Sequence, residues 1–184
     1  MELYEILDDK VVSTRFSDQG AFNTQSSDDR YVRFVLENIP ISEKEIFVDV
    51  GCGVGKVLVM LHNHCKLRII GIEIDPIIAE IARDRVKGMG NIQVIIGNIL
   101  DFKNVIQDAS IFYLYNPFNA EVLDKFLGLV NSIGRKHVHV IYVNDIFKQV
   151  FEKHHFELIS CKQFARMDKS DLEISIWAKS FNNI

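Results

Sequence analysis

The sequence predicts an α/β fold: a doubly wound, seven-stranded, mostly parallel sheet with helices on both faces and a C-terminal antiparallel hairpin. Three observations predict it. From residue 45 onward, short apolar runs alternate with longer amphipathic stretches, the rhythm of βαβ units. The first run leads straight into a glycine turn, VDVGCGVGK at residues 48–56. The last two runs, residues 156–164 and 172–178, are joined by ARMDKSD, which is too short for a helical crossover.

The elements follow in order. The first 25 residues are polar and broken by Gly20, and they read as an irregular arm. Ser26 or Ser27 is placed to cap a helix in which Val32, Val35, Leu36 and Ile39 fall at i, i+3, i+4 and i+7. Pro40 ends it. Residues 46–50 form a nearly continuous apolar run, as expected of a parallel strand covered on both faces. After the glycine turn, VLVML suits a helix. Residues 67–72 make a second strand that ends in Glu73, and Asp75 caps a helix with Pro76 in its first position and Gly88 at its stop. A third strand, 92–96, ends in Gly97-Asn98, and a fourth, 110–115, ends in Asn116-Pro117-Phe118. Asn119 caps a helix with Leu123, Phe126, Leu127 and Val130 on one stripe, closed by Gly134. Residues 138–143 are the fifth strand. In LEISIW the apolar residues alternate with Glu173 and Ser175, as in a half-buried antiparallel strand. Residues 1–44 therefore read as an arm and helix, and 45–184 as the core, of one domain.

Composition narrows the function. At 184 residues, 48% apolar and 25% charged, the chain fits one ordinary globular domain. A net charge of −4 and a pI near 5.9 make nucleic acid an unexpected partner. No apolar run has the length of a membrane span, and no leader pattern opens the chain. Cys52, Cys65 and Cys161 are odd in number and far apart, which fits reduced thiols in a cytoplasmic protein.

In a doubly wound sheet, ligands bind beyond the carboxyl ends of the strands. The glycine turn, Glu73, Asn98 and Asn116 each follow a strand, so the fold brings all four to one rim. Dinucleotide sites want G-x-G-x-x-G; here the third glycine, Gly55, comes one residue early. Asp49 puts a carboxylate where a pyrophosphate would sit poorly. It suits a phosphate-free ligand with an ammonium.

By these motifs, over roughly residues 45–178, the sequence resembles the class I S-adenosylmethionine-dependent methyltransferases. FVDVGCGVG is similar to their first motif. The resemblance implies that Asp49, Gly51, Cys52, Gly53 and Gly55 border the methionine part of the cofactor. GIEID at 71–75 is similar to their second, implying that Glu73 holds the ribose hydroxyls with Ile74 beside it. GNILD at 97–101 is similar to the third, implying Asn98 on the adenine edge and Ile99 on its face. The terminal hairpin matches the family's inserted seventh strand. Tyr115-Asn116-Pro117-Phe118 resembles the Asn-Pro-Pro-aromatic motif of amino-group methyltransferases, with one proline absent. That likeness implies Asn116 and Tyr115 as catalytic residues, Asn116 also against the cofactor, and Pro117 and Phe118 against the substrate. Pro117 further predicts an extended backbone at Asn116.

Other features read as structural. Lys56 lies in a first helical turn and reads as solvated. His62-Asn63-His64-Cys65 lies at the far end of its helix, and the pairs His137/His139 and His154/His155 have no obvious acidic partner, so no metal is expected. Cys52 reads as a small packing residue, and Asn144-Asp145 as a helix cap. The arm around Phe22 and Thr24 could fold over the cofactor as a lid. The expected activity is methyl transfer to a small molecule or a protein amino group. The second acceptor is suggested because FVDVGCGVGK also resembles the first motif of the non-SET histone-lysine methyltransferases. A non-catalytic S-adenosylmethionine-binding module and an NAD-dependent oxidoreductase are the alternatives.

Overall fold

The computed structural model describes residues 15–22, 27–132, 137–165 and 171–181. Seven strands form one sheet in the order β3-β2-β1-β4-β5-β7-β6. They are β1 (Ile46–Val50), β2 (Arg68–Glu73), β3 (Ile92–Ile96), β4 (Ile111–Tyr115), β5 (His137–Val143), β6 (Glu157–Ala165) and β7 (Asp171–Ser180). The first five run parallel, and β7 lies antiparallel between β5 and β6. The order reverses between β1 and β4, which leaves a crevice at their carboxyl ends.

Alternation along the strands builds two cores. Phe47, Ile69, Ile111, Tyr113 and Ile141 face helices α1 (Asp29–Asn38), α2 (Lys56–His64) and α3 (Pro76–Arg85) through Val35, Leu58, Leu61 and Ala79. Val48, Ile70, Phe112, Leu114 and Val140 face α4 (Lys103–Asp108), α5 (Ala120–Ser132) and α6 (Lys148–Lys153) through Ile106, Phe126, Leu127 and Phe151. Helices on both faces explain why the parallel strands read as continuous apolar runs.

Three local expectations change. The cap of α1 is Asp28, whose carboxylate accepts the Arg30 N–H at 2.9 Å; Ser27 is buried, and Ser26 lies outside the described residues. Ser27 fails as a cap because its hydroxyl is engaged across the core by the Tyr113 hydroxyl at 3.0 Å. Asp145 does not cap α6 either: its carboxylate takes the Ser175 hydroxyl and the Trp177 indole N–H on β7. Asn116 is not extended. Its φ of 40° turns the chain sharply as it leaves β4, in a left-handed region that Asn tolerates better than most residues. Asp75 and Asn119 do cap their helices, accepting from Ile77 N and Val122 N. Gly134 lies outside the described residues.

Candidate active site

The site starts from how β1 ends. Gly51, Gly53 and Gly55 take φ of 77°, 54° and 78°, which glycine adopts without a side-chain penalty. The turn they form is bolted to β2. Gly51 N and Cys52 N both donate to Ile72 O, at 2.8 and 3.0 Å. Glu73 accepts the Gly53 N–H at 2.9 Å and the Asp75 N–H at 3.0 Å. A β-carbon on Gly51 would fall 3.0 Å from Pro117 Cβ, so the absence of a side chain lets β1 and the Asn116-Pro117 turn close on one another.

Gly71 needs its hydrogen for a different reason. A β-carbon there would lie 2.7 Å from Leu58 Cδ1 and 2.8 Å from Cys52 Sγ. Cys52 nests against bare backbone, and burial pushes its thiol far above the ordinary range, which agrees with a packing role. Gly71→Ala should destabilise the fold by about 1–3 kcal/mol, the cost of overpacking a close-packed core. Cys52→Ala in the same chain should recover part of that loss in chemical denaturation, because one of the two obstructing groups is gone.

Asp49 is 2% exposed, and its Oδ2 is buried with no hydrogen-bond partner. Burial, with the charge of Glu73 adding to it, pushes the carboxyl up to about 8. A buried orphan of this kind is costly and marks where a donor from a ligand belongs. Glu73 is also buried and also raised by burial, although the backbone N–H groups of Asp75, Gly53 and Ile74 pull it down. Beyond these carboxylates runs a cleft of about 380 Å³, open mouth included, lined by Gly51, Ile74, Asn98, Ile99, Pro117 and Phe118 among others. Asn98 caps the short 3₁₀ turn Ile99–Asp101 through Leu100 N at 3.0 Å, which leaves its amide N–H₂ for a ligand.

Gly51, Ile74, Asn98, Ile99, Pro117 and Phe118 thus share one cleft wall. Asp49, Cys52, Gly53, Gly55 and Glu73, at the end of β1, in the glycine turn and at the end of β2, adjoin this wall but are not among its lining, and neither are Tyr115 and Asn116. Phe118 is buried against Phe126, ring centroids 6.1 Å apart, and sits on the Ile99 side of the cleft. Asn116 and Tyr115 lie past Pro117. Asn116 Oδ1 accepts the Tyr142 hydroxyl at 3.0 Å, and Tyr115 is half-buried with its ring edge against Tyr31. Tyr142→Phe should cost about 0.5–1.5 kcal/mol, a typical net hydrogen bond, and free the Asn116 side chain; thermal unfolding checks it.

Sequence reasoning missed Gln19, Ala21, Val122 and Tyr142. Gln19 and Ala21 come from the arm and line the cleft. Ala21 bridges to Phe118, Phe22 N donates to Pro117 O at 2.9 Å, and Asn119 N donates to Gly20 O at 2.9 Å. Arg15 forks onto Asp75 at 2.7–3.1 Å, which holds that carboxyl below its usual range. Phe22 is thereby paired to Pro117 beside the rim; Thr24 lies outside the described residues.

Glycine turn, carboxylate at the end of β2, switch-point crevice and antiparallel seventh strand together give the fold of the class I S-adenosylmethionine-dependent methyltransferases. Residues 47–133 match the family model described as a methyltransferase domain. Among curated proteins it is 27% identical over 97 residues to the "Probable ribosomal RNA small subunit methyltransferase A" of Methanosarcina barkeri, covering 53% of this chain and 33% of that one. It is 28% identical over 81 residues to the ornithine lipid N-methyltransferase of Singulisphaera acidiphila, covering 43% and 42%. The chain therefore spans between a third and a half of the length of these relatives.

Solved structures agree on the fold. An RNA methyltransferase from Salinibacter ruber in complex with S-adenosyl-L-homocysteine superposes with a TM-score of 0.64 at 17% identity, over 88% of this chain and 95% of that one. A SAM-dependent methyltransferase from Aquifex aeolicus gives 0.61 at 14%, over 79% and 88%. The cofactor class is S-adenosylmethionine, and the residues present fit it: the orphaned Asp49 oxygen can take its ammonium, and the glycine turn leaves the room. Among the described residues no helix is long and apolar enough to cross a membrane.

Proposed function

We propose that this chain transfers a methyl group from S-adenosylmethionine to a small molecule or an amino group. The observation that carries the reading is the buried, unpartnered Asp49 oxygen at the end of β1, beside the switch point of the sheet. The bound cofactor supplies an electrophilic methyl on a sulfonium. Asp49 and the glycine turn hold the methionine end, Glu73 orders the ribose side, and Asn98-Ile99 take the adenine. Glu73 already carries two backbone N–H groups, so it reaches a ribose through its remaining lone pairs. Tyr115, Asn116 and Pro117 border the position of the transferred group, with Phe118 behind them. In-line displacement needs alignment above all, which can lower a barrier by ~7–11 kcal/mol. The turn at Asn116, pinned by Tyr142, gives that alignment a rigid base. The arm from Arg15 to Phe22 acts as a lid on the adenine side.

Calorimetric titration with S-adenosylmethionine, S-adenosylhomocysteine and NAD⁺ tests the cofactor. Binding of both adenosyl ligands and not of NAD⁺ supports the reading; binding of NAD⁺ alone would overturn it. Radiolabelled methyl transfer to small amines, an amino lipid, protein and RNA, compared with Asn116→Ala, then sorts the acceptor. The relatives named for ribosomal RNA and for a lipid keep both classes on that panel. No transfer to any acceptor, despite tight binding, would favour a non-catalytic binding module.

A further inference from the structure

At the opposite end of the sheet from the cleft, β1, β4 and β5 begin around a second cavity. Its lining includes Ser42, Glu45, Ser110, His137 and His139. His137 and His139 are the first and third residues of β5, so their side chains leave the same face. Their Nε2 atoms are 3.0 Å apart, with ring centroids 4.3 Å apart and planes at 77°. The other ring nitrogen of His137, Nδ1, is 3.0 Å from Ser180 Oγ on β7. No acidic partner for this pair is visible along the chain, but the fold supplies one. His139 N donates to Ser110 O at 2.8 Å, and the Ser110 hydroxyl donates to the Glu45 carboxylate.

We propose that His137 and His139 form a two-imidazole chelate for a borderline divalent transition-metal ion such as zinc, with Glu45 the carboxylate that completes it. Imidazole nitrogen is the ligand such ions favour. A zinc ion 2.0–2.1 Å from each of two nitrogens 3.0 Å apart subtends about 94°, and opening the pair by a few tenths of an ångström reaches tetrahedral geometry. Without metal, one proton must sit between the two Nε2 atoms; the ion takes its place. Ser180 then orients His137 from behind, as second ligand layers do. Among the described residues no three His, Cys, Asp or Glu side chains are already gathered at one point, and the Glu45 carboxylate takes the Ser110 hydroxyl instead. The site is therefore bidentate at first contact, with affinity in the micromolar range expected. It is independent of methyl transfer and would clasp the segment before β1 to β5.

The test is titration of the full chain with cobalt(II) and zinc chloride, read by visible absorption, calorimetry and thermal unfolding. We expect one ion per chain, a Tm that rises with zinc by mass action, and cobalt spectra without the thiolate charge-transfer band that Cys65 or Cys161 would give. His137→Gln and His139→Gln should each weaken binding at least tenfold and Glu45→Gln a few-fold, while His62→Gln leaves it unchanged. His139 is buried, so if its variant does not fold, the exposed His137→Gln decides alone. Absence of binding up to millimolar metal, or uptake that survives in His137→Gln, overturns the assignment.

Discussion

Asp49→Asn should raise the melting temperature of the ligand-free protein at pH 8 while weakening S-adenosylmethionine ten- to a hundredfold. The stability half follows from linkage. Folding lifts the Asp49 carboxyl from an ordinary 3.8 to about 8. Its contribution is then fully present below 3.8 and is lost as pH rises through the folded value. That interval corresponds to a ceiling of roughly 5 kcal/mol, and relaxation and water penetration bring the effective figure lower. The amide keeps the shape and carries no charge, so it escapes the loss. At about pH 3.5, where Asp49 is neutral in the folded and largely neutral in the unfolded protein, wild type and variant should unfold at nearly the same temperature. At pH 8 the variant should be more stable by about 2 kcal/mol or more. The binding half follows because a neutral amide cannot pair with an ammonium, and a hydrogen bond to a charged group is worth about 1.5–3 kcal/mol. Unfolding scans at the two pH values and calorimetry at pH 8 check both halves. Equal melting temperatures at pH 8 would mean that Asp49 is not held unpaired.

Glu73→Ala should do the reverse to stability and the same to binding. Removing this carboxylate strands the Gly53 and Asp75 N–H groups inside the protein. Each buried orphan costs about 1–3 kcal/mol, so a total loss near 2–4 kcal/mol is expected in urea. The glycine turn loosens with it. Affinity for S-adenosylhomocysteine should fall more than tenfold, through the lost ribose acceptor and through the lost order of the turn. Glu73→Gln separates these contributions: its single carbonyl oxygen keeps one N–H satisfied, so stability should recover further than affinity. The two carboxylates are also coupled, since Glu73 helps raise Asp49. Glu73→Ala in an Asp49→Asn background should therefore destabilise by an amount that differs from its effect in wild type.

How much of this was legible along the chain depends on how far each signal reaches. The βαβ rhythm is local and strong, so the strand cores, the hairpin and the order of rim residues could be read directly; residues 92–96 were placed to the residue. The short helix α4 left no trace. α4 has six residues, of which only Val105 and Ile106 are buried, and two apolar positions define no period. Caps failed wherever a side chain had a better offer from afar: Ser27 is claimed by Tyr113, 86 positions away, and Asp145 by Ser175 and Trp177. The extended state expected before Pro117 gave way to a left-handed Asn116, whose carbonyl oxygen is anchored by Tyr142 on the neighbouring strand. The glycine turn and the acids at the ends of β1 and β2 stood out because such residues at strand ends are rare enough to notice. The arm wall of the cleft did not, because Gln19 and Ala21 are ordinary residues whose place is set only by pairing with residues 117–119.

That pairing gives the cleft a temporal property. Residues 15–22 are held along the rim by two backbone hydrogen bonds to the Asn116–Asn119 turn and by the fork of Arg15 on Asp75. If this strip is the lid proposed above, a molecule seated beneath Gln19 and Ala21 should leave on the schedule of its peeling away, with a residence time set by a different part of the chain from its affinity. Turnover under multiple-turnover conditions then answers to ionic strength, which weakens the exposed Arg15 fork, while the grip of the glycine turn stays constant.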